Sequence, residues 1–176
     1  MIAADLWKVG QLAPGDSVNF VPVSDEAARA ALARQDALVA GDAVAPAPPV
    51  IAQLGSPILH AVEASGHRPA TRIRRQGDQH LLVEYGPIVL DLELRLRIHA
   101  LMLEIEALAL PGIIDVTPGI RSVQVHYDSR RLAQATLVAA LAEAEDRLGG
   151  LDDFEIPSRT VHLPLSWNDP AIHETV

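Results

Sequence analysis

Arg121 is the residue whose type and position come nearest to those of a binding group. It follows a Pro-Gly turn at the start of a predicted strand, where a guanidinium can hold a carboxylate or carbamate through two parallel hydrogen bonds. An ion pair with Asp115 across the same hairpin is the alternative, and the sequence alone favours it. Glu84 and Tyr85 end an earlier strand and complete the predicted substrate-binding set, although a buried tyrosine with a satisfied hydroxyl is the simpler interpretation of Tyr85.

Other chemistry has little support in the sequence. The seven histidines are never spaced as HxH, HxxxH or HExxH, which are the spacings that bring metal ligands together. The chain has no cysteine, so thiolate ligands and a cysteine nucleophile are excluded. Signatures of a nucleophile elbow, a phosphate loop and a dinucleotide-binding turn are missing as well. No metal is predicted, and the catalytic residues stay unknown.

Composition indicates a folded protein that does not bind nucleic acid. Of the 176 residues, 49% are hydrophobic and 21% charged, which is typical of a globular chain. The formal net charge is -9, and an acidic chain repels phosphate backbones. The N-terminal residues lack the pattern of a secretory signal, and no apolar stretch approaches the roughly 20 residues of a membrane span. We therefore expect a cytoplasmic protein without membrane contact.

Three segments position these residues, and the boundaries are predicted at 1–41, 42–71 and 72–176. In the first, a short strand is expected after the turn at residues 14–16, followed by a helix over 25–39 with Ser24 as its N-cap and Gly41 at its end. The second is rich in proline and alanine and is typical of an extended linker. Its later part, 50–66, is compatible with either a short helix or a packed arm.

The third segment predicts an α+β fold with the order β-α-β-β-α-β. That order is typical of a ferredoxin-like split unit, in which both helices cover one face of a four-stranded antiparallel sheet. Glu84, Gln124 and His126 are expected on the other face, where another domain could dock. On the first of these helices we expect Asp91 as the N-cap and an ion pair between Glu93 and Arg97. The predicted elements are a strand over 80–86, a helix ending at 111–112, strands over 113–116 and 122–127, a helix over 134–148 and a strand over 160–165.

Three runs of sequence carry a resemblance to a known family. They extend from Val83 to Leu101, from Pro111 to Asp128 and from Pro157 to Pro170. They resemble the beginning of the allophanate hydrolase subunit 1 type domain, which is the C/D half of the carboxyltransferase in urea carboxylase. The run Leu-Pro-Leu-Ser-Trp near the end of the chain favours the urea carboxylase branch of this family. Residues 5–24 resemble the tail of the A/B half, which precedes the C/D half in the fused enzyme.

The resemblance implies a fragment of a biotin-dependent enzyme that transfers a carboxyl group from carboxybiotin to urea or guanidine; with urea the product is allophanate. The full enzyme uses biotin and ATP, and the implied partners are its biotin carboxylase, its biotin carrier domain and the remaining carboxyltransferase parts. The cyclophilin-like barrel of the C/D half would be missing. We therefore expect the chain to be inactive by itself, and to self-associate through the apolar surface that the barrel would have covered. Lys8 is the single lysine and does not lie in the AMKM-type signature that carries biotin.

Two relatives of the same family leave other functions open. One is the smaller subunit of an ATP-dependent 5-oxoprolinase, which needs partner chains for ring opening. The other is a sporulation kinase inhibitor, which acts by binding and not by catalysis. The sequence does not decide between urea, guanidine and 5-oxoproline as the substrate of the whole enzyme.

Overall fold

The fold was obtained as a computed structural model, which describes residues 1–45, 51, 55–149 and 157–164. It is an α+β fold built on one antiparallel sheet, so the predicted class is confirmed. The elements in chain order are a 3-10 helix (Ala3–Asp5), α1 (Leu6–Val9), α2 (Asp25–Ala40), β1 (Ile58–Val62), β2 (Thr71–Arg75), β3 (His80–Tyr85), α3 (Leu92–Leu108), β4 (Ile113–Pro118), β5 (Ser122–Tyr127) and α4 (Gln134–Leu148).

The sheet has five strands in the order β1-β2-β3-β5-β4. Along β3 and β5 every second residue is buried, because successive side chains of a strand point to opposite faces. The buried residues pack with the apolar faces of α3 and α4 into a single core. Its largest apolar members are Tyr85, Tyr127, Ile73, Leu81, Ile98, Leu101, Leu137 and Leu141. Helices α3 and α4 therefore cover the same face of the sheet, as predicted.

Local signals fix the helix ends much as the sequence indicates. The Ser24 hydroxyl accepts a hydrogen bond from the backbone N–H of Ala27 (3.1 Å) at the start of α2, and Gly41 ends that helix with a left-handed φ of 91°. The Asp91 carboxylate accepts from the backbone N–H groups of Glu93 (2.7 Å) and Leu94 (3.2 Å) at the start of α3. Side-chain oxygens there satisfy backbone donors that the helix itself leaves without partners.

The predicted closing strand is wrong for the residues that can be described. Residues 160–164 form no strand and are exposed, and residue 165 lies outside the described ranges. The reason lies in the sheet edge that this strand would have used. Strand β2 occupies the position next to β3, with antiparallel pairs from Thr71 opposite Tyr85 to Arg75 opposite Leu81, and β1 pairs with its other side. The sheet therefore has the ferredoxin-like neighbours β3, β5 and β4, but a preceding strand takes the place of the closing one.

The sheet also begins earlier than predicted. β1 lies within the stretch 42–71 that we expected to be a linker. For residues 50–66 we expected either a short helix or a packed arm, and the structure instead has a strand that pairs with β2. The strand expected after the turn at residues 14–16 is not formed. The one β-type pairing in that described stretch is an isolated bridge between Val23 and Ile51. The division into carboxyltransferase halves stays a prediction.

Within the described residues, no helix is long and apolar enough to cross a membrane.

Candidate functional site

Glu84 and Arg121 form an ion pair on the face of the sheet that the helices leave uncovered. The Arg121 Nη2 donates to Glu84 Oε1 at 3.0 Å, and the Arg74 Nη1 lies 3.1 Å from Glu84 Oε2. The register explains this pairing, since Glu84 on β3 lies opposite Ser122, the first residue of β5, and Arg121 directly precedes Ser122. The favoured pairing of Arg121 with Asp115 is wrong.

Asp115 has a different partner within its own strand. The Thr117 hydroxyl donates to the Asp115 Oδ2 at 2.6 Å. Asp115 lies opposite His126, past an irregularity in the β4–β5 register, and Arg121 precedes the first residue of β5. The hairpin therefore holds Asp115 several residues away from the guanidinium, whereas the neighbouring strand brings Glu84 next to it.

Arg121 also holds the end of β3 in place. Its Nη1 donates to the backbone carbonyls of Tyr85 and Gly86, each at 3.3 Å, and the Tyr85 N–H donates to the Arg121 carbonyl at 2.9 Å. The guanidinium is half-buried, with 19% of its side chain exposed. Two arginines share the single Glu84 carboxylate, so the group has one positive charge in excess.

Tyr85 does not belong to this group, because its side chain points to the opposite face. It is fully buried in the core, and its hydroxyl donates to the Glu145 Oε2. Burial raises the pKa of the Tyr85 hydroxyl far above its usual range, and the negative charge of Glu145 raises it further. The interpretation of Tyr85 as a buried tyrosine with a satisfied hydroxyl is therefore supported, and the predicted substrate-binding set is divided between two faces.

A buried ionic network, which the sequence analysis missed, surrounds that hydroxyl. The Arg97 Nε donates to Glu145 Oε1 at 3.1 Å, its Nη2 donates to the same oxygen, and its Nη1 donates to the Gly149 carbonyl at 2.9 Å. The guanidinium carbon also lies 5.5 Å from the centre of the Tyr85 ring. Arg68 extends the network, since its Nε lies 3.5 Å from Glu145 Oε1. The expected pair of Arg97 with Glu93 is wrong, because Arg97 turns into the core.

A signal for this network was present in the helical periodicity. Arg97 lies three residues after Leu94 and four before Leu101, both of which are buried, so it falls on the apolar face of α3. Glu145 lies four residues after the buried Leu141 on α4. A charged residue of opposite sign on each of two apolar helix faces indicates a buried pair wherever the two helices pack together.

The uncovered face also has a pair of stacked histidines. His80 and His126 are cross-strand neighbours, with ring centroids 4.4 Å apart and planes 8° from parallel. Partial burial lowers the pKa of His80, and the nearby imidazole of His126 lowers it further. Gln124 lies on the same face and donates from its Nε2 to Gln76 Oε1 at 2.7 Å. The face that was predicted to meet another domain is therefore polar and carries titratable groups.

The described part of the chain contains no group of three or more His, Asp or Glu side chains placed to hold a metal ion. Lys8 is exposed and lies 2.6 Å from the Asp5 carboxylate and beside the Trp7 ring. The described residues thus form an α+β unit whose uncovered sheet face is polar.

Comparison with known families gives a match over more than half of the chain. The family described as "Carboxyltransferase domain, subdomain C and D" matches residues 71–172. The urea amidolyase of Lachancea kluyveri is 33% identical over 186 residues, which cover 98% of this chain and 10% of that protein. The urea amidolyase of Saccharomyces cerevisiae is 30% identical over 176 residues, or 94% of this chain and 9% of that protein.

Two solved structures have a similar fold. The urea amidolyase of K. lactis superposes with a TM-score of 0.77 at 32% identity, over 83% of this chain and 9% of that one. The urea carboxylase of Kluyveromyces lactis gives a TM-score of 0.75 at 32% identity, over 83% of this chain and 14% of that one. The chain thus spans about a tenth of the length of the curated relatives that it matches.

Proposed function

The chain belongs to the carboxyltransferase-domain family of subdomains C and D, and from that membership we propose that it serves in the transfer of a carboxyl group from carboxybiotin to urea. The product of that reaction is allophanate. The observation that carries the proposal is the match of almost the whole chain, 98%, to a urea amidolyase. The similarity of fold to a solved urea carboxylase, with a TM-score of 0.75, is consistent with it.

Within that reaction the chain acts as a scaffold that completes the carboxyltransferase. Of the residues predicted to bind substrate, Glu84 and Arg121 lie on the uncovered face of the sheet, where Arg74 adds a second guanidinium; in this proposal that face meets the remaining parts of the enzyme. Tyr85 acts inside the core, where its hydroxyl is committed to Glu145. The partners are the remaining A/B and C/D parts, the biotin carboxylase and the biotin carrier domain.

Biotin is carried by another part of the enzyme in this proposal. Its attachment needs a lysine in a specific sequence signature, and Lys8, the single lysine of the chain, lies in an unrelated sequence. No catalytic step is assigned to a residue of this chain. We therefore expect that it turns over neither urea nor guanidine by itself.

Complementation tests this function directly. The probe is the Lachancea kluyveri urea amidolyase from which the segment matching this chain has been deleted, hereafter the gapped enzyme. We expect urea-dependent ATP consumption to return when the purified 176-residue chain is added. Carboxylation of free biotin by the gapped enzyme controls for its folding. An active biotin carboxylase that stays unresponsive to urea after the addition would overturn the proposal.

The chain alone provides the second arm of the test. Incubated with urea and free carboxybiotin, it should form no allophanate, and detectable allophanate would overturn the scaffold role. Hydrolysis of 5-oxoproline in the presence of partner subunits, or a specific complex with a histidine kinase, would support the two alternative functions instead.

A further inference from the structure

Residues 1–41, which we call the N-terminal segment, share little apolar packing with the five strands and helices α3 and α4, which we call the sheet unit. Among the described residues, the core of the sheet unit has no member from this segment. The buried apolar residues of the segment are Ala4, Ala28 and Leu32. Two of these are alanines, so little apolar area is removed from water. A part of a fold with few buried apolar contacts is typical of one that opens by itself.

The first polar contact between the two parts is made by Asp78, in the turn between β2 and β3. Its carboxylate accepts from the Ala3 N–H, with distances of 3.0 Å to Oδ1 and 3.2 Å to Oδ2, and the residue is only 5% exposed. Gly77 beside it has a left-handed φ of 74°, and a Cβ there would lie 3.1 Å from the Met1 carbonyl oxygen. The turn therefore lies directly against the backbone at the start of the N-terminal segment.

The second polar contact joins α2 to the loop between β5 and α4. The Arg130 Nε and Nη2 donate to the two carboxylate oxygens of Asp36 at 2.6 Å and 2.8 Å. Both side chains are almost half exposed, so water and salt compete for this pair. Between the described ranges 1–45 and 58–149, every hydrogen bond or ion pair that joins the two parts involves Asp78 or Asp36.

Water can replace both of these contacts. When the segment leaves, the carboxylates of Asp78 and Asp36 regain hydration, which offsets part of the hydrogen bonding that is lost. A large apolar interface would have no such compensation. We propose that the N-terminal segment is a strap that opens and closes on the sheet unit while the sheet and its core stay folded, with Asp78 and Asp36 as its attachment points. This inference goes beyond the proposed function and does not depend on it.

Opening of the strap would uncover one groove of about 470 Å³ between the two parts. Asp25 and Arg29, at the start of α2, line it on one side. The other side belongs to the sheet unit and includes His60, Arg75 and Gln134. The Arg75 Nε and Nη2 donate to the Gln134 Oε1 at 3.0 Å and 2.7 Å, so that side is held by contacts of its own. The strap therefore governs how far this polar groove is open to solvent.

Amide hydrogen exchange of the full chain at increasing urea concentrations tests the strap. An isolated helix of the length of α2 is marginally stable in water, so its amides exchange soon after the segment leaves the sheet unit. Asp78→Asn and Asp36→Asn each remove the charge at one attachment point. Asp16→Asn is the matched control, because the Asp16 carboxylate accepts a backbone N–H within the segment itself, from Ala13 at 2.7 Å.

In the wild type we expect the α2 amides to exchange faster than those of β3 and β5, and with a weaker dependence on urea, because opening of the strap exposes less surface than global unfolding. Equal rates and equal urea dependences for α2 and the two strands would overturn the inference. This comparison needs no variant, so it decides the matter even if a substitution prevents folding.

The variants test the attachment points. Asp78→Asn should raise the α2 exchange rates about tenfold, as the loss of a hydrogen bond to a charged group does. Asp36→Asn should raise them about threefold, and its effect should shrink as salt is raised. Asp16→Asn should exchange like the wild type. Wild-type rates for α2 in both Asp78→Asn and Asp36→Asn would overturn the inference, and so would an equal increase in Asp16→Asn.

Discussion

The Arg97 guanidinium of α3 donates two hydrogen bonds to the Glu145 carboxylate of α4, and both side chains are almost completely buried. Removing two charges from water is unfavourable, so such a pair persists only where further hydrogen bonds satisfy the remaining donors and acceptors. Here the Tyr85 hydroxyl and the Gly149 carbonyl supply those bonds. The network joins β3, α3 and α4 at one point and thereby fixes how the two helices pack on the sheet.

Replacement of Glu145 by glutamine should destabilise the fold strongly. Glu145→Gln leaves the Arg97 charge buried without a counterion, for which a loss of about 3 kcal/mol in the free energy of unfolding is expected. The matched control is Arg147→Gln, which breaks the largely exposed pair of Arg147 with Glu104 and should change stability by about 1 kcal/mol or less. Urea denaturation measures both values, and equal effects of the two variants would refute the role of burial.

The two tyrosines should not ionise in the folded protein near their ordinary pKa. Burial raises the pKa of both Tyr85 and Tyr127, so the folded state holds these protons more tightly than the unfolded chain does. Their contribution to stability is complete below about pH 10, the usual value for tyrosine, and it is lost as the pH rises above that value. Absorbance of the phenolate at alkaline pH should therefore appear together with the loss of helical circular dichroism, and an earlier appearance would contradict the prediction.

Acid should weaken the fold through the histidine pair on the uncovered face. The pKa of His80 is lowered, first by burial and then by the charge of His126. A lowered pKa means that the unfolded chain binds the proton more tightly, so this contribution is present above about pH 6.5 and is lost as the pH falls through the folded value. NMR titration of His126→Gln should show the pKa of His80 moving part of the way back, since burial remains. An unchanged pKa in that variant would exclude the coupling.

Alanine at Gly112 should be far less tolerated than alanine at Gly41. Both glycines have left-handed φ angles, of 106° and 91°, which cost about 1 kcal/mol for a residue with a side chain. At Gly112 a Cβ would also lie 2.8 Å from the Leu132 Cβ, whereas at Gly41 it would meet nothing within 4 Å. We expect a loss of about 1 kcal/mol for Gly41→Ala and about 3 kcal/mol for Gly112→Ala in thermal or urea unfolding. Similar losses for the two variants would indicate that the backbone φ angle alone, and not the contact with Leu132, determines the cost of the substitution.

Much of the fold was accessible from local patterns in the sequence. The bounds of α4, the cap formed by Asp91 and the strands of the β4–β5 hairpin follow from apolar periodicity, capping residues and turn signals, all of which act within a few residues. β1 was not accessible, because its short apolar run after a proline-rich stretch has no local feature that distinguishes a strand from an arm. Its pairing with β2 is a contact made only in the folded sheet.

For the candidate site, the sequence by itself determined which residue types were present and on which face each lay, because alternation along a strand is a local property. It therefore placed Glu84, Gln124 and His126 on one face correctly. Only the tertiary structure decided their partners: Arg121 with Glu84 instead of Asp115, and Arg97 with Glu145 instead of Glu93. Those choices depend on strand order, register and helix packing, which bring together residues 37 and 48 positions apart in the chain, and such long-range proximity is not written in any local spacing.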